Sequence, residues 1–414
     1  MRSKRSNFNL WIVGNIDFPQ GRGGTPRIRN IGIGLTSLGN KVTLLIPHAA
    51  GYVGKNQNVQ TYGNYRGIEF KYFTKTTERP SSEAQVALQK IVGNFKLAYR
   101  FLFVERPDII LIFNNYSLLD VGLPILFAKM TGRKIVFDVC DERFELYATN
   151  RLKSIFRWIN AIQIKISDRI LFQYADGFLV VSQFLQKKIL RLYSGQKILN
   201  VPLIAEIPNK ISKPLIFPER RLDRSFPKLA YVGSLIADEG IDLLIESVSI
   251  LKMSFNSISC YLIGDANNSS YKAVIEKMID EKSLKNNIIF MGALPYEQLI
   301  GLLSEFDLLV LPRPDSVISR AGFPGKLAEY FGSKRPVVTT NFGDIGIYFT
   351  DKKNILMSAN NSAKSFATTI KESITKKKYL DDIGEEGYLF ALEKFDIRKV
   401  AITIHDYFID LIIK

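Results

Sequence analysis

Short apolar runs that stop at a glycine-bearing turn and then give way to a helical pattern recur along the whole chain. That alternation leaves few folds open. Residues 8–14 form such a run and end in a polar, glycine-rich loop over 15–24. Ile28, Ile31, Leu35 and Leu38 then fall on one helical face, and residues 41–46 read as the next strand, closing a βαβ unit. Residues 108–113, 134–139 and 177–181 repeat the strand signal with Val, Ile, Leu and Phe, as a parallel sheet covered on both faces requires. From 208 to 228 the pattern breaks: Pro208, Pro214, Pro218 and Pro227, with Arg220, Arg221 and Arg224, mark a connection. It restarts with strand-like runs at 229–232, 259–263, 288–291, 307–311 and 336–339. The expectation is an α/β chain of two facing Rossmann-like doubly wound domains with a central cleft, residues 1–207 and 229–394. A linker at 208–228 separates them, and a helix over 395–414 packs back on the first.

A length of 414 residues fits two cores better than one. Hydrophobic content of 46% with 23% charged residues excludes a disordered chain. No apolar run reaches the roughly 18–20 residues of a membrane span. The basic start runs directly into a strand, without a secretory signal, and Cys140 and Cys260 are the only cysteines. These features predict a cytoplasmic protein. Lys and Arg total 56 against 40 Asp and Glu, so the net charge of +16 favours an anionic partner. Scattered basic residues without a stacking platform argue against nucleic acid. A diphosphate-bearing substrate or an anionic membrane fits better. For the membrane, residues 151–170 supply a basic amphipathic pattern, with Leu152, Ile155 and Ile159 against Arg151, Arg157 and Lys165, and Trp158 beside them. This would hold the chain on the inner face of the plasma membrane. No cluster has metal-ligand spacing, and no metal or other cofactor is expected. His48 and His405 are the only histidines, and His48 reads as a strand-end loop residue.

The densest motif is residues 322–332, Gly-Phe-Pro-Gly-Lys-Leu-Ala-Glu-Tyr-Phe-Gly, followed by the buried strand at 336–339. A turn of this kind aims backbone N–H groups at a ligand, and a following helix adds partial positive charge. Lys326 and Glu329, three apart, share one helical face. They offer a cation for phosphate and a carboxylate able to accept two ribose hydroxyls.

Taken in order, these motifs resemble the retaining, nucleotide-sugar-dependent glycosyltransferases of the GT-B fold, glycosyl transferases group 1. Gly23-Gly24, Tyr231-Val232-Gly233, residues 240–244, Leu262-Ile263-Gly264-Asp265 and Phe290-Met291-Gly292 carry the likeness. Residues 322–340 resemble the subgroup with a Pro-x-Lys-x-x-Glu-Tyr signature. The resemblance implies transfer of a sugar from a nucleotide diphosphate-sugar to a glycan or lipid-linked acceptor in polysaccharide or lipopolysaccharide synthesis. It makes the first domain the acceptor side and the second the donor side. Glu329 would hold the donor ribose. Phe323, Pro324, Gly325 and Lys326 would face the diphosphate or sugar, although Pro324 has no N–H. Gly23 and Gly24 would approach the phosphates, as would Gly233 and Ser234. Met291, Gly292 and Leu294 would flank the base, and Asp141 would serve the acceptor, with Asp138 its competitor. Two departures stand out. Ser234 and Glu239 occupy positions where the family usually carries Arg and Lys, and Ala321 stands where many relatives carry an acid. A unit charge pair at 4 Å is worth roughly 4 kcal/mol at an effective dielectric of about 20, so Glu239 facing a diphosphate would be unfavourable. Lys326, then Arg22, Arg313 and Arg320, are the candidate replacements. The missing cations leave open a non-catalytic partner of a glycan assembly complex; a GT-B nucleotide-sugar epimerase is the other alternative.

Overall fold

The computed structural model describes residues 7–21, 23–51, 58–104, 106–113, 117–142, 155–209, 225–265, 269–294 and 296–413. The chain divides into two compact units, residues 1–205 with 397–414, and residues 206–396. In the first, among the described residues, eight strands form one sheet: β1 (Asn9–Val13), β2 (Lys41–Ile46), β3 (Tyr62–Tyr65), β4 (Ile68–Tyr72), β5 (Ile109–Phe113), β6 (Lys134–Val139), β7 (Gly177–Val180) and β8 (Ile198–Asn200). Their spatial order is β3-β4-β2-β1-β5-β6-β7-β8. Each pair is parallel except β3 with β4. β1 pairs with β2 on one side and β5 on the other, and its last four residues are wholly buried, as a central strand covered on both faces must be.

The hairpin β3–β4 was not expected from the sequence. Its turn, Arg66-Gly67, holds both residues at positive φ (50° and 90°), the geometry that matches strand twist in a two-residue hairpin. β4 alternates buried and exposed because it lies near the sheet edge, so it lacks the continuous apolar run that marks the central strands. The helix Ile397–Ile413 packs on the helix Thr25–Ser37. It buries Ile397, Val400, Ile404, Phe408 and Leu411 in the same core as Phe8, Ile31 and Leu35.

In the second unit β9 (Lys228–Val232), β10 (Ser259–Ile263), β11 (Ile288–Gly292), β12 (Leu308–Leu311), β13 (Val337–Thr340) and β14 (Leu356–Ser358) lie in the order β11-β10-β9-β12-β13-β14, all parallel. The chain winds outward from β9 to β11, then returns to β12 on the other side. The topological switch point therefore lies between β9 and β12, where ligands of open α/β sheets bind beyond the strand carboxyl ends. The strand signals at 307–311 and 336–339 fall on β12 and β13.

Candidate functional site

Three charges and a phenol gather at that switch point. Lys326 Nζ lies 2.6 Å from Glu239 Oε2 and 3.0 Å from the Tyr231 hydroxyl. Arg313 Nη2 donates to Glu239 Oε1 at 3.0 Å. Tyr231, near the end of β9, donates to the Ser234 carbonyl at 3.0 Å, and Lys326 Nζ stands 4.5 Å from the centre of its ring. The three charged side chains are only 12–15% exposed. Glu239 is thus no bare carboxylate aimed at a ligand: it bridges two cations, and the cluster carries one net positive charge. Of the candidate replacement cations, Lys326 and Arg313 converge here. Arg320 instead pairs with Asp315 on the surface, and Arg22 lies outside the described residues.

Local structure explains the convergence. Glu239 ends a short 3-10 turn, Ala237–Glu239, and Gly240 follows at φ 74°. A Cβ at Gly240 would sit 2.0 Å from the Pro312 carbonyl oxygen, so only glycine lets this turn close on the exit of β12, where Arg313 sits. Lys326 immediately precedes the helix Leu327–Gly332. That helix is held by the Tyr330 hydroxyl, which donates to the Val310 carbonyl at 3.1 Å and accepts the Val232 N–H at 2.8 Å. Tyr330 therefore latches the motif to β9 and β12 together. With six residues the helix is short, and its dipole is correspondingly small.

The electrostatics follow from burial and pairing. Burial would raise the Glu239 carboxyl, but Lys326 and Arg313 outweigh it and hold it below its ordinary value. Burial lowers the Lys326 ammonium, against the opposing pull of Glu239. Burial, then Glu239, pushes the Tyr231 phenol well up, so it remains a hydrogen-bond donor. Arg313 Nε is buried with no hydrogen-bond partner among the described residues, which leaves a donor for a further oxygen.

Other sequence-predicted positions surround this cluster in the second unit. A Cβ on Gly233 would lie 2.7 Å from Lys326 Nζ. The Gly233 N–H donates to Ile263 O, and the Gly264 N–H to Gly292 O, which ties together the carboxyl ends of β9, β10 and β11. Gly264 (φ 154°) approaches so closely that a Cβ there would meet Gly233 O at 1.8 Å. Met291 and Gly292 end β11, at the sheet edge two strands from β9, and the half-buried Leu294 follows. Phe323 sets its ring edge-on to Tyr348 with centroids 5.5 Å apart, and Pro324 is buried. Gly325 is exposed, with open space where a Cβ would stand, and Glu329 is half-buried on the helix that Lys326 precedes. Tyr231 and Tyr330 are the members that sequence reasoning did not assign. Both stand inside motifs it quoted, but a hydroxyl latch has no signature without the fold.

Gly23, Gly24 and Asp141 belong to the first unit. The loop after β1 is braced from within: Thr25 Oγ1 donates to Asp17 O at 3.0 Å, and Asn58 bonds Asp17 and both the N–H and carbonyl of Gln20. Gly24 passes the Phe113 ring so closely that a Cβ would stand 2.1 Å from it, while a Cβ on Gly23 would meet nothing within 4 Å. Asp138, fully buried, receives both Arg27 Nε and Nη2 at 2.8 Å and so anchors the first helix. Asp141 lies just beyond β6 and is half-buried. Of the amphipathic pattern over 151–170, residues 155–170 lie in the helix Ile155–Leu171; residues 151–154 and the side chains of 155–161 lie outside the described residues.

Residues 212–390 match the family model described as glycosyl transferases group 1. A poly(ribitol-phosphate) alpha-N-acetylglucosaminyltransferase of Staphylococcus aureus (strain COL) is 22% identical over 230 residues, 54% of this chain but only 42% of that protein. The capsular polysaccharide biosynthesis glycosyltransferase CapH of Staphylococcus aureus is 24% identical over 298 residues, 70% of this chain and 76% of CapH. Among solved structures, the sucrose-phosphate synthase of Thermosynechococcus elongatus superposes with a TM-score of 0.71 at 14% identity, covering 98% of this chain and 99% of that one. Anabaena HepE in complex with UDP-glucose does so at 0.66 and 15% identity, covering 97% and 99%. The chain thus has two parallel-sheet, Rossmann-like domains of the GT-B fold, and its second unit resembles the glycosyl transferases group 1 over residues 212–390.

Proposed function

We propose that the chain moves a hexose-type sugar from a nucleotide diphosphate-sugar to a hydroxyl of a glycan or lipid-linked saccharide, with retention, in the cytoplasmic steps of cell-surface polysaccharide synthesis. The observation that carries this reading is the pair of cations, Lys326 and Arg313, held by Glu239 and Tyr231 at the switch point of the second sheet. The donor diphosphate sits against Lys326 and Arg313, and Glu329 receives the ribose hydroxyls. Met291, Gly292 and Leu294 flank the base. Gly233 and Ser234, with Phe323, Pro324 and Gly325, shape the floor around the phosphates and sugar; Gly23 and Gly24 likewise serve the phosphates, while Asp141 serves the acceptor.

During transfer the bond from the anomeric carbon to the diphosphate oxygen breaks, and the electron pair leaves with the diphosphate. The acceptor oxygen bonds to the same face of that carbon and passes its proton to the departing phosphate oxygen. The side chains supply charge and position rather than a nucleophile. No metal is required in this reading, because Lys326 and Arg313 meet the developing charge. The names of the relatives support a cell-wall or capsular glycan as product, and the UDP-glucose complex of a similar fold supports a nucleotide-sugar donor.

One observation favours a second reading. Glu239 already neutralises half of the cluster's charge, as it would in a non-catalytic relative that has lost donor binding. A thermal-shift series with UDP, GDP, ADP, CMP and dTDP separates the two. A nucleotide at 100 times its dissociation constant stabilises by about 2.7 kcal/mol. Selective stabilisation by one nucleotide, abolished in Glu329→Ala, is expected. A flat response to all five, together with no transfer from any sugar of the series, establishes the non-catalytic reading instead.

A further inference from the structure

The helix Glu83–Phe103 of the first unit is apolar on both sides. One side, through Val86, Leu97 and Phe101, is buried; Phe101 lies against Trp11, with ring centroids 5.5 Å apart. The opposite side carries Leu88, Val92, Phe95, Tyr99 and Phe103 at helical spacing, and all five are exposed. Phe95, Tyr99 and Phe103 are 63%, 62% and 70% exposed. A surface helix of a globular protein normally turns polar residues outward, so this stripe marks a contact surface. The adjoining helix, Leu123–Met130, also exposes Leu126 and Met130.

Charge identifies the partner. Between the stripe and the end of β4 opens a hollow of about 500 Å³, lined by Phe95 and Tyr99 together with Lys71, Lys96 and Arg100. No acidic side chain is among its described lining residues. Two of the cations are held in place: Lys96 Nζ donates to the Phe73 carbonyl at 2.8 Å, and Arg100 stacks 5.2 Å from the Trp11 ring centre. Aromatic rings beside fixed cations match the boundary of an anionic bilayer, where rings enter the headgroup layer and cations meet phosphates. A second copy of the chain fits poorly, because a two-fold contact would set these cations against themselves.

We propose that the outer face of the helix Glu83–Phe103 docks this protein on an anionic lipid bilayer. Phe95, Tyr99 and Phe103 enter the interface, and Lys71, Lys96 and Arg100 engage lipid phosphates. The surface stands on the geometry of the first unit and does not depend on the transferase reading. It also moves the membrane contact away from residues 151–170, where the sequence pattern placed it.

The test is co-sedimentation of the full chain with vesicles of phosphatidylcholine alone or mixed with phosphatidylglycerol. Binding about tenfold stronger to the anionic vesicles, weakening with salt, is expected. Combined Phe95→Ser, Tyr99→Ser and Phe103→Ser substitutions should cut it by about tenfold or more while leaving the melting temperature and the nucleotide response unchanged. Lys71→Glu, at an exposed position, should weaken binding on its own. Equal binding to both vesicle types, or undiminished binding by the triple variant, would overturn the proposal. So would wild-type self-association in sedimentation velocity that the triple variant abolishes.

Discussion

Glu239 sets the character of the charged cluster in the second unit at the scale of single residues. Its carboxylate lies between Lys326 and Arg313, and each of these is 15% exposed or less. Glu239→Gln leaves two partly buried cations with a neutral neighbour. Breaking a buried pair costs about 3–5 kcal/mol, and the residual exposure of this one places the expected loss nearer the lower figure. The same change frees both cations for phosphate, so nucleoside diphosphate should bind several-fold tighter. Calorimetric titration checks the second effect and urea denaturation the first. Unchanged affinity would move the phosphates away from this pair. The pH dependence follows from the direction of the shift. The folded-state carboxyl lies below its ordinary 4.5, so the stability from this pairing is complete above that value and is lost as pH falls through the depressed one. Glu239→Gln should flatten that part of the acid limb.

Close backbone approaches decide the geometry at the scale of elements. Strands β9, β10 and β11 end in glycines that bond across the sheet, and a Cβ on Gly264 would stand 1.8 Å from Gly233 O. Gly264→Ala therefore combines a clash with an unfavourable φ of 154°. We expect it to destabilise the second unit by about 3 kcal/mol or more and to reduce nucleotide binding, read by thermal melts with and without UDP. The Tyr330 latch acts at the same level, since one hydroxyl serves a carbonyl of β12 and an N–H of β9. Tyr330→Phe leaves both backbone groups without that partner, at about 1–3 kcal/mol. A double-mutant cycle with Lys326→Met should show coupling, because the latched helix places Lys326.

The C-terminal helix is the element that matters most at the scale of the whole molecule. The chain leaves the first unit at residue 205 and re-enters it at 397, so this unit is closed by residues nearly 200 positions downstream. The helix Ile397–Ile413 buries Ile397, Val400, Ile404, Phe408 and Leu411 in the first core. At about 1.5–3 kcal/mol per large apolar side chain, the gross contribution is on the order of 10 kcal/mol, comparable with the net stability of an entire domain. A chain ending at residue 396 should therefore lose the cooperative melting of the first unit, or become insoluble, while the second still melts. Differential scanning calorimetry distinguishes these outcomes from an unchanged profile.

Sequence alone determined the α/β class and the positions of the central strands, because a parallel strand covered on both faces must be written as an unbroken apolar run. It also singled out residues 322–340, where Lys326 and Glu329 sit three apart on one short segment. Chain-distant relations were not legible. Glu239 is 74 residues from Arg313 and 87 from Lys326, and nothing local distinguishes a carboxylate that clashes with phosphate from one that clasps two cations. The β3–β4 hairpin escaped notice because its strands at the sheet edge alternate between solvent and core. The stripe on the helix Glu83–Phe103 escaped as well, since an apolar residue reads the same on either side of a helix. Only tertiary packing decides which side is covered, and here it left the aromatic side to the solvent.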